Sequence, residues 1–208
     1  MKALDALNAL YEPASLQRGL ITSAQARRLG VEKADLSRLA KNGHVERVAH
    51  GIYRMSAAPA PREGAVWVAW LSLDPAKFAS ERDHRTGVVS HNTASWLLDL
   101  GELNPEPLTF SHPARKQPRN RGIRVVRGEL VPGDLTVVAG LPCTNAAKTV
   151  EDLVRSGEDL SLISSVLSDA LSRGIVLDEE GLASRINSLG QRRGLSKRQL
   201  LYDLLRRG

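Results

Sequence analysis

The order of elements around Gly30 constrains this chain more than any other feature: two short amphipathic runs meet there, and a basic alternating hairpin follows. In Thr22-Ser23-Ala24-Gln25 a hydroxyl stands at a helix N-cap and a Gln three places on reaches back to the cap amide, so a helix is expected from Ser23 to about Leu29. Gly30 supplies the backbone freedom of a tight turn. Val31 to Asn42 then carries Leu36, Leu39 and Ala40 on one helical face, closed by Asn42-Gly43. Ahead of both, Leu4, Leu7 and Leu10 recur at helical spacing until Tyr11-Glu12-Pro13, where proline disfavours helix in the residue before it. A first helix is expected to stop there.

Val45-Glu46-Arg47-Val48 and Ile52-Tyr53-Arg54-Met55 alternate as strands around Ala49-His50-Gly51, a short hairpin with a basic residue in each strand. Two helices joined by a glycine turn and followed by such a hairpin make a winged helix-turn-helix, which binds double-stranded DNA. With Leu36, Leu39 and Ala40 turned inward, Ala34, Ser37, Arg38 and Lys41 point away. A helix that reads the major groove needs this mixture: Arg forms a bidentate contact with guanine, Lys holds a phosphate, and small residues allow close approach. A solvated basic face has the same composition, and the hairpin that follows is what favours DNA. The wing is expected to bring Arg47 and Arg54 to phosphate, while His50 at its tip either touches DNA or is solvated. Thr22, Ser23 and Gln25, at the start of the second helix, complete the set of expected DNA contacts.

Charge agrees with this placement. Residues 1–56 hold nine Lys or Arg against five Asp or Glu, while 57–143 and 144–208 each hold ten against nine, so most of the formal +6 lies in the first quarter. With 42% hydrophobic residues the chain is long enough to bury a sizeable core, and disorder is not expected. Its longest unbroken apolar stretch, Ala65 to Leu71, falls far short of the roughly 20 residues of a membrane helix, and no basic flank precedes an apolar signal core. A cytoplasmic protein with no membrane partner is expected. Cys143 is the single cysteine, which removes intrachain disulfides and CxxC zinc sites and leaves a buried apolar role.

Ala57 to Arg62 is a proline-rich break. A helix is expected beyond it, with Trp67, Trp70 and Leu71 in the core. Gly87-Val88-Val89 reads as a strand feeding the capping cluster Ser90-His91-Asn92 and a helix to Leu100. Pro107–Phe110, Ile123–Val126 and Leu135–Val138 read as further strands. Between the first two of these, Arg115, Lys116, Arg119 and Arg121 occur with no acidic residue, and Arg124 and Arg127 extend the run. Such a segment contacts nucleic acid or an acidic partner, or is a solvated loop. From Thr144, expected as a cap, the sequence is helical, with Leu160, Ile163, Leu167 and Leu171 on one helix and Leu182, Ile186 and Leu189 on a helix opened by Asp178. Ser196 to Gln199 reads as a capping box for a last helix. The expected fold class is α+β: a winged helix-turn-helix over 1–56, a linker over 57–64, and a mixed domain over 65–208 with a small sheet plus helices, helical from 145.

Several runs resemble a known family. Gly19-Leu20-Ile21-Thr22, Ala26-Arg27-Arg28-Leu29-Gly30, Leu36-Ser37-Arg38-Leu39 and Gly51-Ile52-Tyr53 are similar to the N-terminal domain of AbiEi-type antitoxins. Val88 to Ala94, Gly140-Leu141-Pro142-Cys143-Thr144 and Lys148 to Leu153 resemble signatures of the C-terminal domain of that family. The resemblance implies the antitoxin of a type IV toxin-antitoxin pair, which represses its own operon by binding operator DNA, with inverted repeats in its own promoter, and counteracts a nucleotidyltransferase-like toxin directly or indirectly. It places antitoxin activity in the C-terminal part. Two other classes stay open: a winged-helix regulator whose C-terminal domain senses a small molecule, and a protein inhibitor whose DNA binding is incidental.

Catalysis is not expected. Ser90 next to His91 in sequence is not a Ser–His pair in space, and no third orienting group can be named; a structural role, with Ser90 capping a helix, is expected instead. His84 and His112 lack partners at metal-ligand spacing and are expected on the surface. Neither a Walker loop nor a G-x-S-x-G elbow occurs, and no Glu is followed two places on by Lys as in a common nuclease site. No metal and no cofactor are expected.

Overall fold

In the computed structural model, which describes residues 2–118, 120–175 and 179–190, Pro13 lies inside the first helix rather than beyond its end. Helix α1 spans Ala3–Ser15. Proline falls in its last turn, where only the hydrogen bond that its own N–H would donate is forfeited, and Ala14 continues the buried stripe of Ala6 and Leu10. Strand β1 (Leu20–Thr22), helices α2 (Ser23–Arg28) and α3 (Lys33–Lys41), and strands β2 (Val45–Ala49) and β3 (Ile52–Met55) follow. The three strands form an antiparallel sheet of order β1-β3-β2. Strand β1 was not among the expected elements. Its three residues pair with β3 from Leu20↔Arg54 to Thr22↔Ile52, which fastens the hairpin to the start of α2.

The Thr22–Gln25 capping box forms as expected. Gly30 adopts φ +78°, the left-handed conformation that lets α2 turn into α3. Ile21, Ala26, Val31, Leu36, Leu39, Val45 and Tyr53 close a core with the buried face of α1.

Contacts divide the chain into two compact units, 1–86 and 87–208. The expected linker at 57–64 therefore lies inside the first unit rather than between two. A Cβ on Gly19, at φ +77°, would come within 2.1 Å of the Ala58 methyl, so the chain after β3 packs back on the start of the sheet. Helix α4 (Gly64–Leu73) buries Val66, Trp67, Trp70 and Leu71, and the two indoles meet edge to face at 5.2 Å.

The second unit is built on a five-stranded mixed sheet of order β6-β5-β4-β8-β7, from β4 (Val88–Val89), β5 (Leu108–His112), β6 (Ile123–Arg127), β7 (Leu135–Val138) and β8 (Leu141–Thr144). The chain is thus mixed α+β. Helix α5 (His91–Leu97) follows β4, and α6 (Ala146–Ser156), α7 (Leu160–Ser172) and α8 (Glu179–Gly190) follow β8. Val150, Leu153, Ile163, Leu167, Leu182 and Ile186 join these last helices in one core. Asn145, not Thr144, caps α6: its side chain accepts from the Lys148 amide, while the Thr144 hydroxyl turns to Thr149 at 2.8 Å. Asp178 as a helix start and the Ser196 capping box lie outside the described residues, as does Arg119. Among the described residues no helix is long and apolar enough to cross a membrane.

Candidate nucleic-acid interface

Burial of Leu36 and Leu39 leaves Ala34, Ser37, Arg38 and Lys41 exposed on the opposite side of α3. Lys33, which the sequence reading passed over, is exposed as well, and its spacing of four from Ser37 and eight from Lys41 was the available signal. Asp35 on the same helix is buried; its carboxylate accepts from the Glu32 amide at 3.2 Å and lies 3.4 Å from Arg38. The contact is made by the guanidinium itself, through Nη1, with half of the Arg38 side chain exposed.

In the hairpin the two arginines differ. Arg47 is exposed and donates to Nδ1 of His50 at 3.2 Å, so the tip histidine orients the arginine next to it. Arg54 lies opposite Glu46 in the register and pairs with it at 2.6 Å, and its side chain is only 25% exposed. Arg54 reaches phosphate only by sharing or leaving that partner.

The start of α2 corrects an expectation. Thr22 and Gln25 are fully buried. The Thr22 hydroxyl accepts from the Gln25 amide and donates to the carbonyl of Pro75. Gln25 and Gln17 exchange reciprocal amide bonds at 3.0 and 3.1 Å, and Gln25 also donates to the Lys77 carbonyl at 2.7 Å. Ser23 is half-buried and bonds the Gly51 carbonyl at 3.2 Å. With their polar atoms committed to the fold, Thr22 and Gln25 do not face a ligand; the capping residues needed burial because the chain returns over them fifty residues later.

In the second unit Arg115, Arg121, Arg124 and Arg127 are exposed, Lys116 is half-buried, and β6, which carries Arg124 and Arg127, is an edge strand. Ser90 and His91 lie together, but buried: Ser90 Oγ and His91 Nδ1 are 3.0 Å apart, and the Ser90 side chain makes no cap bond, against expectation. His91 occupies φ +56° at the β4–α5 turn. Burial, with the nearby cations Arg124, Lys148 and Arg155, pushes its imidazole down to about 4, so it is neutral at ordinary pH. His112, expected on the surface, is buried, because the loop after β5 folds back and the Ala114 amide donates to its Nδ1 at 3.0 Å. On α6 a buried ion network that the residue pattern did not reveal joins Lys148 to Asp152 at 2.7 Å and to Glu151 at 3.4 Å; Arg155 pairs with Glu151 at 2.6 Å. Arg185 of α8 reaches Asp134 at 3.3 Å. Cys143 is buried in β8, and its thiol is pushed well up by the loss of solvent. Among the described residues no group of three or more His, Cys, Asp or Glu could hold a metal ion.

Residues 8–56, from α1 through the hairpin, match the family model of the AbiEi antitoxin transcriptional regulators. No curated protein sequence matches the chain. Among solved structures, the crystal structure of the RV2827C protein from Mycobacterium tuberculosis is similar, with a TM-score of 0.50 and 15% identity over 94% of this chain and 79% of that one. That likeness concerns the fold.

Proposed function

From the match of residues 8–56 to antitoxin transcriptional regulators, we propose that α2, α3 and the β2–β3 hairpin form a winged helix-turn-helix that binds operator DNA in the chain's own promoter and represses its operon. The observation that carries the reading is the exposed face of α3, where Ala34, Ser37, Arg38 and Lys41 stand clear of the core on a helix anchored by buried Leu36 and Leu39. Short side chains there let the backbone approach the groove floor, Arg38 is the candidate for bidentate base contact, and Lys41 and Arg47 are the candidates for phosphate. The protein acts by binding, as a cytoplasmic regulator, and not by catalysis.

The second part of the reading is that the second unit, residues 87–208, carries antitoxin activity against a nucleotidyltransferase-like toxin, and that the basic run through Arg115, Lys116, Arg121, Arg124 and Arg127 is a further contact for nucleic acid or an acidic partner. Support comes from the charge distribution: from 113 to 128 there are six basic residues and no acidic one, while the rest of 87–208 has ten basic against fourteen acidic.

Footprinting of the full chain on its own promoter tests the first part. Protection of paired half-sites, with release of a reporter from repression when Arg38→Ala and Lys41→Ala are combined, is the expected result. An unprotected promoter would remove it. For the second part, toxin is expressed from a foreign inducible promoter with the antitoxin supplied separately, which takes autoregulation out of play; growth rescue by the repression-deficient double variant is expected.

A further inference from the structure

Beyond the residues that match the regulator family, the chain makes a turn that bonds back to α2 and its neighbours. After α4, backbone carbonyls of three successive residues accept from α2 and its cap: Pro75 from the Thr22 hydroxyl, Ala76 from Arg28 at 2.6 Å and Lys77 from Gln25 at 2.7 Å. The Ala79 amide donates to Gln17 at 2.8 Å. Glu81 closes the turn with two 2.6 Å bonds from the Arg28 guanidinium, which also lies 4.7 Å from the centre of the Phe78 ring. Phe78 itself packs on the core that contains Leu36 and Leu39.

The strap has a firm base of its own. Arg82 donates to the carbonyls of Trp70, Leu71 and Asp74, three acceptors at the end of α4, and its guanidinium lies 4.6 Å from the centre of the Trp70 ring. These bonds fix where the strap leaves α4. Glu81 is therefore presented to Arg28 from a rigid mount.

Helix α2 has only six residues and joins α3 through Leu29, Gly30, Val31 and the cap residue Glu32. A helix so short does not hold its orientation by its own hydrogen bonds. Its angle is set by what grips it: the capping box and the Gln17–Gln25 pair at one end, and the Arg28–Glu81 fork at the other. A bidentate Arg–carboxylate contact fixes direction as well as distance. Rotation of α2 would carry the Gly30 turn and the start of α3 with it, and paired hydrogen bonds to a base edge tolerate only small displacements of the side chain that makes them.

We propose that residues 74–82 are a positioning strap for operator reading, and that Glu81, through its fork to Arg28, is the residue that sets the angle of α2 and α3. This rests on the DNA-binding reading above. Glu81 is a positioning residue and touches no base. The assignment has an unusual consequence, because two influences on DNA binding oppose each other at this side chain. Removing a negative charge from a phosphate-binding unit should tighten binding to any duplex. Loss of positioning should weaken binding to the operator alone.

The test uses the full chain with Glu81→Gln, which keeps size and removes charge, with Arg28→Lys, which keeps charge and removes the fork, and with the two combined. Affinity is measured for the operator and for an unrelated duplex of equal length, well below the melting temperature of each variant. Expected is a drop in the operator-to-unrelated ratio of about three- to tenfold for each single variant, with the double variant no worse than either, since both break one contact. Affinity for the unrelated duplex should hold or rise with Glu81→Gln. Equal tightening on both duplexes would overturn the proposal and make Glu81 a plain repelling charge. Tightening on the operator by Glu81→Gln that vanishes when Arg28 is also changed would overturn it too, by showing that the strap masks a phosphate contact of Arg28. An unchanged ratio in a wild type that prefers its operator would remove the strap proposal alone; a wild type with no preference would remove the DNA-binding reading and this proposal with it.

Discussion

Helices α2 and α3 are neighbours with similar polar, basic compositions, yet the fold treats them in opposite ways. On α2 the polar atoms of Thr22 and Gln25 are buried and bonded within the chain, and Arg28 is gripped by a carboxylate. On α3 Ser37, Arg38 and Lys41 face outward from a helix whose packing is entirely apolar except for Asp35. Composition does not separate a helix whose polar groups are held from one whose polar groups face outward; what covers it does. The difference predicts that substitutions on α3 remove direct DNA contacts, whereas substitutions on α2 act on stability and, through the angle of α3, on operator preference.

The largest effect should come from α3. Arg38→Ala combined with Lys41→Ala is expected to lower operator affinity by at least about 1–3 kcal/mol, the range for one lost bidentate Arg–base contact, with loss of Lys41 weakening every duplex alike. The melting temperature should fall by no more than a few degrees, because Lys41 is exposed and the Arg38 contact to Asp35 is made by a half-exposed guanidinium while the Asp35 carboxylate keeps its bond from the Glu32 amide. Equal loss of stability and affinity would dissolve the contrast between the two helices.

His91 extends the comparison to the second unit, as another polar group that the fold has enclosed. Its imidazole ionises near 6.5 in an unfolded chain and at about 4 here, so the unfolded state binds the additional proton first. Stability should therefore be intact above pH 6.5 and fall as pH drops toward 4, by roughly 3 kcal/mol in all. Urea unfolding of the second unit's signal across that window measures it, and His91→Asn should flatten the slope. A slope that survives the substitution would assign the titration elsewhere.

Much of the first unit was legible because its signals are local. Helical spacing, the Thr22–Gln25 box and the alternation around His50 act within a few residues, so pattern alone located α2, α3 and the hairpin. Thr22 and Gln25 were misjudged for a reason of the opposite kind: their partners Pro75 and Lys77 lie about fifty residues away, joined through backbone carbonyls that any sequence would offer. The same holds for α6, where the spacing of Lys148 and Asp152 is plain in the sequence but their burial depends on how α6, α7 and α8 pack. Leu20-Ile21-Thr22 is too short to announce a strand until β3 is beside it.

A smaller effect tests α2 directly. Thr22→Ala removes the cap acceptor of α2 and the donor to the Pro75 carbonyl, and should cost about 1 kcal/mol of stability, in the middle of the range for lost N-caps. At temperatures where the variant is fully folded its affinity for an unrelated duplex should match wild type, with a loss on the operator no larger than that of Glu81→Gln. An affinity loss of equal size on both duplexes in a folded Thr22→Ala protein would mean that this hydroxyl leaves its carbonyl to meet DNA, and α2 would then contact DNA too.

The smallest expected effect separates the two arginines of the hairpin. Arg47 projects outward beside His50, and its removal should reduce the magnitude of the log-affinity against log-salt slope by about 0.9, the value for one lost phosphate contact. Arg54 spends its charge on Glu46, so Arg54→Ala removes a cation already half neutralised and exposes a carboxylate near the phosphates. Affinity should fall through that uncovered charge, with a slope change smaller than for Arg47. Pairing Arg54→Ala with Glu46→Ala isolates the contact: if Arg54 is only a partner for Glu46, the double variant recovers the wild-type slope, and if Arg54 holds a phosphate of its own, the deficit of about 0.9 persists after Glu46 is gone. Persistence would put both strands of the hairpin on the DNA backbone and make the Glu46 pair a resting arrangement of the unbound protein.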